Sequence, residues 1–193
     1  MGIEPDAAEA QRAAKLLEEY ENVKILNRLA YDAVEGCGEF DLCVSLSVLE
    51  HVKQLERFLA NSIRHIKRGG LLVHRYDLGH ALYPSSLKER FHVFLGNTFP
   101  ALLPESKFVR YVAEEEVKVI LEKCGAKIEK VTYHQMPNHK LFLKTFRGET
   151  EKKKELAKEL LDWEYRISKF LIEMPSETRE NLFPSITIWA RRV

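Results

Sequence analysis

The clearest hydrophobic pattern in the chain is the stretch FDLCVSLSVLEHV at residues 40–52. Aliphatic side chains alternate there with Cys and Ser, so that almost every position is apolar or small. This pattern predicts a strand that is buried on both faces and is therefore central in a parallel sheet. Glu50 and His51 follow the strand directly. Because ligands bind where the strands of open α/β sheets end, we expect these two side chains at a ligand-binding edge.

The remaining pattern alternates short apolar runs with stretches of helical periodicity. The apolar runs predict strands at residues 2–4, 23–26, 71–76, 126–134 and 185–193, and the periodic stretches predict helices at residues 7–21, 55–66, 111–123 and 149–173. Asp6, followed by Glu9, resembles a capping box, which signals a helix start. Lys67-Arg68 followed by Gly69-Gly70 is typical of a helix end.

Two segments differ from the simple alternation. Residues 81–110 are predicted to be loop-rich, and their prolines and phenylalanines suit a cap over an acceptor pocket or, equally, core beneath a long connection. Residues 149–173 form a helical excursion before the last strand. Its charge run is predicted to face solvent. The apolar side chains expected on its other side are Leu156, Leu160, Trp163, Ile167 and Phe170.

The order of elements predicts the α/β fold class. Strands and helices alternate in the first half, which favours a mostly parallel sheet with helices on both faces. At 193 residues, the chain suits a single domain, 1–193, with a substantial core. The end of the chain departs from strict alternation, because a strand stands on either side of the helical excursion.

Composition excludes several function classes. The formal charge of +1 gives no electrostatic reason to expect a nucleic acid or an anionic membrane as partner. No run approaches the roughly 18 apolar residues that span a bilayer, and residues 1–10 do not resemble a secretory signal. The three cysteines have no paired spacing, so we expect reduced thiols in a cytoplasmic protein.

Candidate general bases occur in the motif HRYDLGH. His74 or His80 could take a proton from a substrate hydroxyl or amine, with Asp77 orienting the imidazole. The alternative is a hydrogen-bonded loop cluster. The spacing H-x-x-D-x-x-H matches no recognised metal-ligand pattern, so no metal site is expected.

Several of these segments together resemble the class I S-adenosylmethionine-dependent methyltransferases. They are FDLCVSLSVLEHV followed by a helix, then RGGLLVHRYD, CGAKIEKVTYH and finally SITIWARRV, in the family's order and at its usual spacing. The resemblance runs from Gly2 to about His134 and resumes in the last strand. It implies a Rossmann-like sheet whose final two strands form an antiparallel pair.

The resemblance also implies roles for individual residues. Glu4, in GIEPD, matches the carboxylate that holds the ribose hydroxyls of S-adenosylmethionine. Asp32, or its neighbours Ala30 and Tyr31, lies in the loop that contacts adenine in the family. Ser45 and Leu46, followed by Ser47, match the strand end beside the methionine part. Glu50 and His51 would face the acceptor. Under this resemblance, the expected proton acceptors are His51, His74 and His80.

One departure from the family concerns its first strand and the glycine-rich turn GxGxG. These would precede Gly2 and are not in the printed sequence. Gly36-Cys37-Gly38 imitates the turn but precedes the wrong strand, and it is interpreted as a plain turn. Three interpretations are open: an N-terminally truncated methyltransferase, a degenerate relative that has lost S-adenosylmethionine, or a gap closed by re-paired strands or a second subunit.

The resemblance therefore implies methyl transfer from S-adenosylmethionine to a small-molecule acceptor. The alternative is a methyltransferase-like interaction protein without cosubstrate binding. A homodimer is one way in which either could complete the sheet.

Overall fold

The computed structural model describes residues 1–32, 38–136 and 150–193. Its strands are β1 (Gly2–Glu4), β2 (Ile25–Asn27), β3 (Phe40–Leu46), β4 (Ile66–Asp77), β5 (Ala126–His134) and β6 (Ser185–Arg192). Its helices are α1 (Ala7–Leu16), α2 (Leu55–Arg64), α3 (Gly79–Leu82), α4 (Leu87–Thr98), α5 (Glu114–Lys123), α6 (Thr150–Leu171) and α7 (Ser176–Leu182). The imitation turn at Gly36-Cys37 and the predicted helix start at Glu149 lie outside the described residues.

The described strands form two sheets. β1 and β2 are a parallel pair, in which Gly2 lies opposite Ile25. The second sheet has the order β3-β4-β6-β5, with β3 parallel to β4. β6 runs antiparallel to both of its neighbours, β4 and β5. The predicted α/β class is therefore confirmed, with parallel pairing first and an antiparallel terminal pair.

β3 lies at an edge of the four-stranded sheet instead of at its centre. Within the described residues it pairs with β4 alone. Ser45 is buried, whereas Leu42, Val44 and Leu46 are 52%, 51% and 63% exposed. The prediction of a strand buried on both faces was wrong for this reason: an apolar run shows which side chains could be buried, but not whether a second layer covers them.

β4 begins at Ile66, so the predicted helix end at Lys67-Arg68-Gly69-Gly70 was wrong. Phe40 pairs with Ile66, but Leu42 pairs with Leu71, and the strand bulges in between. Gly69 has a φ of 76°. A Cβ on Gly70 would lie 2.9 Å from the backbone oxygen of Lys67. The two glycines therefore form a bulge within a strand, where extra residues and left-handed backbone are tolerated.

The segment 81–110 contains more helix than the sequence indicated. α4 occupies its middle, and the Ser86 side chain caps α4 by accepting a hydrogen bond from the amide of Glu89 at 3.2 Å. The predicted loop-rich region was wrong here because its three prolines all lie outside α4. Phe108 is buried, and the aromatic side chains that are at least half exposed are Phe91, Phe94 and Phe99.

Helix α6 lies where the sequence predicts a helix, but it buries a different face. Trp163 and Phe170, which we expected to be buried, are 46% and 76% exposed. Glu164 is buried instead, because its two carboxylate oxygens accept hydrogen bonds from the amides of Gln135 and Met136 at 3.2 and 3.0 Å. The helix therefore supplies partners for backbone amides just after β5, which a hydrophobicity pattern does not record.

The Asp6 cap is confirmed with one change. Its side chain accepts hydrogen bonds from the amides of Ala8 and Glu9 at 2.9 and 3.1 Å. The amide of Asp6 donates to Glu4 Oε1 at 2.9 Å. Glu4 thus takes the reciprocal part that a capping box would give to Glu9.

A buried polar network holds α5 to β5 and α7. Glu114 is 1% exposed, and its Oε2 accepts a hydrogen bond from the Tyr133 hydroxyl at 2.5 Å and pairs with Arg179 at 3.4 Å. Its Oε1 pairs with Lys118. A buried carboxylate is tolerated only with partners of this kind, so Glu114 fixes how three elements meet.

Replacing Glu114 should therefore weaken the fold. We expect Glu114→Gln to lower the free energy of unfolding by about 3 kcal/mol, because two cations would lose a buried partner. The control is Glu115→Gln, whose side chain is 67% exposed and pairs with the same Lys118, and which should cost less than ~1 kcal/mol. Urea denaturation measures both values, and equal losses would contradict the assigned role of Glu114.

Candidate active site

The carboxyl ends of β3 and β4 meet at one edge of the larger sheet. Leu46 lies opposite Arg75. Ser47, the next residue, has a φ of 52°, and its amide donates to the backbone oxygen of Arg75 at 2.8 Å. Non-glycine residues seldom adopt this conformation, so the turn is held by its contacts. It leads the chain into a 3₁₀ turn at Leu49–His51.

Glu50 lies in that turn and is 0% exposed. Its Oε1 accepts a hydrogen bond from the amide of Asp77 at 3.2 Å, which joins the end of β3 to the end of β4. Its Oε2 has no hydrogen-bond partner. Burial raises the pKa of this carboxyl above its usual value. Glu50 is therefore a carboxylate held in place on one oxygen and unpartnered on the other.

The His51 ring is fixed by a backbone contact. Its Nδ1 lies 3.0 Å from the backbone oxygen of Phe108. A carbonyl oxygen can only accept, so Nδ1 carries the hydrogen and the neutral ring keeps its lone pair on Nε2. That nitrogen is the one that could accept a proton or bind an ion.

His80 completes a cluster with these two residues. It lies on α3, which begins directly after the end of β4, and its ring centroid is 5.9 Å from that of His51. Glu50, His51 and His80 each place one ligand-type atom within 4.8 Å of the others. His51 and His80 were predicted as separate residues, and their proximity was not predicted. It could have been inferred from the sequence, because each residue follows one of two consecutive strands that were expected to be parallel.

His74 lies apart from this cluster, in the core. It is 0% exposed, and its Nδ1 shares a hydrogen bond with the Ser45 hydroxyl at 2.8 Å. The edge of its ring faces Phe58, with centroids 6.0 Å apart. Burial lowers the pKa of His74 to about 4. The imidazole is therefore neutral near pH 7, and it holds the Ser45 side chain in place.

The predicted cosubstrate residues lie on three different elements or loops. Glu4 ends β1, and its Oε1 already accepts from the Asp6 amide. Asp32 follows β2, and its backbone oxygen accepts a hydrogen bond from Asn61 of α2 at 3.1 Å. Ser45 is buried and Leu46 exposed at the end of β3. The Asn61 contact ties the loop after β2 to a helix that packs on the larger sheet.

A cavity of about 680 Å³ is lined in part by Phe108 and Arg110, whose backbones contact the cluster residues His51 and Glu50. Its other walls come from α2, α4 and α5, and they include Arg57 and Gly96. Phe108 supplies the carbonyl that holds His51, and the amide of Arg110 donates to the backbone oxygen of Glu50 at 3.0 Å. The segment that lines the cavity on one side therefore supports the cluster on the other.

Gly96 allows α4 to approach this segment closely. A Cβ at position 96 would lie 2.0 Å from the backbone oxygen of Val109, which no side chain could accept without displacement. Asn97, the next residue, accepts a hydrogen bond from the amide of Tyr111 at 3.1 Å through its Oδ1. α4 is thus clamped directly against residues 108–111.

Comparison with a family model agrees with the fold. Residues 1–131 match the model of a methyltransferase domain. The chain belongs to this methyltransferase family. The matched range runs from the start of the chain into β5 and includes the turn that carries Glu50 and His51. No curated protein sequence matches the chain.

Solved structures of methyltransferases share the fold. A methyltransferase from Methanosarcina mazei that depends on S-adenosylmethionine superposes with a TM-score of 0.56 at 12% identity, over 100% of this chain and 81% of that one. Geranyl diphosphate C-methyltransferase from Streptomyces coelicolor gives a TM-score of 0.59 at 16% identity, over 100% and 63%. The cyclase SpnF gives 0.55 at 13% identity, over 99% and 65%.

None of the helices in the described part of the chain is both long and apolar enough to cross a bilayer. The expected cytoplasmic location stays a prediction.

Burial of neutral His74 should make the fold sensitive to acid. The unfolded state takes up a proton below about pH 6.5, whereas folded His74 resists protonation until about pH 4. The free energy of unfolding should therefore fall by about 3 kcal/mol as the pH drops through that window.

Urea denaturation of His74→Asn at pH 7 and pH 4.5 tests this expectation. Asparagine can still bond Ser45 but cannot titrate, so the variant should lose less stability on acidification than the wild type. His80→Asn, at an exposed position, should keep the wild-type loss. An unchanged acid response in His74→Asn would contradict the assignment.

Proposed function

We propose that this member of the methyltransferase family transfers the methyl group of S-adenosylmethionine to a small-molecule acceptor at the edge where β3 and β4 end. The observation that carries the proposal is the Glu50–His51–His80 cluster, which stands directly beyond the β3 end that the family uses for the methionine part. Family membership supports the cosubstrate, and the balanced surface charge argues for a small acceptor.

The described residues fit parts of S-adenosylmethionine. Glu4 suits the ribose because a carboxylate offers about four lone-pair sites, and the Asp6 amide takes one of them. The loop at Asp32 would meet adenine, and Leu46 and the Ser45–His74 pair would lie beside the methionine part. No described residues supply a glycine-rich turn for the cosubstrate. Gly38 has a positive φ of 76°, but a Cβ there would meet nothing within 4 Å, as expected of a plain turn.

In methyl transfer, the protein aligns the acceptor with the methyl donor and removes a proton from the acceptor. When bound, S-adenosylmethionine supplies a methyl group made electrophilic by its sulfonium. The protein has to hold the acceptor atom in line with that methyl group and take up its proton where needed. His51 is the first candidate for proton uptake because its Nε2 keeps a lone pair, and His80 is the second. His74, buried behind Ser45, is the remaining predicted base and would act by positioning Ser45.

We also propose that residues 81–110 form a cap within a single domain, 1–193, in which residues 149–173 are a helical excursion. The contribution of α4 to the cavity wall supports this organisation. The cavity lining carries both signs of charge, because Glu56 and Glu116 line it together with Arg57 and Arg110, and Arg110 pairs with Glu116 at 2.7 Å. The lining therefore sets no preference for an anionic acceptor.

Calorimetric titration with S-adenosylmethionine tests the cosubstrate assignment. We expect saturable binding, weakened at least ~10-fold in Glu4→Ala, because a hydrogen bond to a charged group contributes about 1.5–3 kcal/mol. The control is Glu9→Ala, whose exposed side chain pairs with Arg12 on the surface and which should leave affinity unchanged. Absence of binding at millimolar ligand would contradict the proposal for this chain.

Release of S-adenosylhomocysteine in the presence of phenols, amines and carboxylic acids tests the acceptor and the base. With an acceptor found, His51→Ala should lower kcat by about 10²- to 10⁴-fold, because the step would lose its proton acceptor. The affinity for S-adenosylmethionine should hardly change. The control is His92→Ala on α4, and an equal loss of kcat in both variants would contradict the role of His51.

A second candidate function is an interaction protein without cosubstrate binding. It is favoured by the exposed apolar face of β3. It is also favoured because, within the described ranges, no strand of one sheet pairs with a strand of the other. Exposed apolar patches often mark protein contacts, and a homodimer could use this one. Sedimentation over a range of concentrations separates the two outcomes, since a monomer at all concentrations would count against a homodimer.

A further inference from the structure

We propose that Glu50, His51 and His80 bind a divalent transition-metal ion. Their three ligand-type atoms lie within 4.8 Å of one another, so small side-chain movements would bring them around a single ion. The residues come from two segments, the turn after β3 and helix α3 after β4. Parallel pairing of the two strands brings these segments together, so the cluster is built by the fold.

The state of His51 suits metal binding. Because Nδ1 donates to the Phe108 carbonyl at 3.0 Å, Nε2 presents its lone pair. Metal-binding histidines usually carry such a contact on the other ring nitrogen, which fixes the tautomer and the ring orientation. The structure therefore contains both the donor atom and the outer contact that orients it.

Glu50 provides the strongest indication of a missing partner. The side chain is fully buried, and its Oε2 makes no hydrogen bond. Leaving a buried carboxyl oxygen unpaired is costly. A cation beside Oε2 would remove that cost, while the Asp77 amide at 3.2 Å keeps Oε1 and the carboxylate plane in position.

The donor set indicates the class of metal. Two imidazole nitrogens and one carboxylate oxygen are typical of zinc and of neighbouring first-row divalent ions, and three protein ligands leave a position open. Magnesium and calcium prefer oxygen ligands alone. A bound ion would use the Nε2 lone pair of His51, so His51 is a candidate proton acceptor only in the metal-free site. The open position on the ion would suit an oxygen of the acceptor, which narrows the substrate class to compounds with a hydroxyl or carboxylate group. This last step rests on the proposed function, but metal binding itself does not.

Titration of the full chain with Co²⁺, without S-adenosylmethionine, tests the inference by calorimetry and visible absorption. We expect one ion per chain and d–d bands of a low-coordinate site. His80→Ala and Glu50→Gln should each weaken binding at least ~10-fold. His80 is exposed, so its variant should fold normally even if Glu50→Gln does not. The control His92→Ala should bind as the wild type does.

The outcomes separate the metal site from the proposed function. No Co²⁺ binding at 1 mM (roughly the weakest affinity of interest), or equal binding by wild type and His80→Ala, would overturn the inference. S-adenosylmethionine binding is measured separately in the presence of a chelator. Co²⁺ binding that depends on His80 supports the metal site even if S-adenosylmethionine does not bind, a result that would count only against the proposed function.

Discussion

The parallel pairing of β3 with β4 is the interaction on which the candidate site depends. It places Leu46 beside Arg75, and two further hydrogen bonds, from the amides of Ser47 and Asp77, extend the contact beyond the regular strands. Because β3 has β4 as its single described neighbour, the register of this pairing determines where the turn after β3 lies relative to the end of β4. The positions of Glu50 and His51 relative to His80 follow from it.

Glu50 and Glu114, two of the buried carboxylates, differ in how their oxygens are paired. Glu114 has a tyrosine and two cations around it, so it acts as a structural joint between α5, β5 and α7. Glu50 has a single amide on one oxygen. Because protein interiors seldom leave a buried carboxyl group half-satisfied, this contrast with Glu114 supports the role proposed for Glu50.

Much of the fold could be predicted from the sequence, because period-two and helical patterns encode which side chains are apolar. β5 at Ala126–His134 and the order of the elements follow directly from those patterns. The exposure of Leu42 and Val44 does not, because it depends on the layer above the strand. The bulge at Gly69-Gly70 was mistaken for a helix end, since glycine permits both. Of the candidate site, His51 and His80 were predicted as residues, but their proximity and the buried state of His74 depend on strand register.

Gly96 is far from His51 along the chain, yet its contacts bear on the tautomer of the His51 ring. The missing Cβ lets α4 press on the backbone at Val109, and this backbone carries the Phe108 carbonyl to its place beside Nδ1 of His51. If α4 stood further out, that carbonyl would shift and the imidazole hydrogen could move to the other nitrogen. The absence of a side chain at position 96 is thus coupled, through the backbone of residues 108–109, to which nitrogen of the His51 imidazole keeps its lone pair.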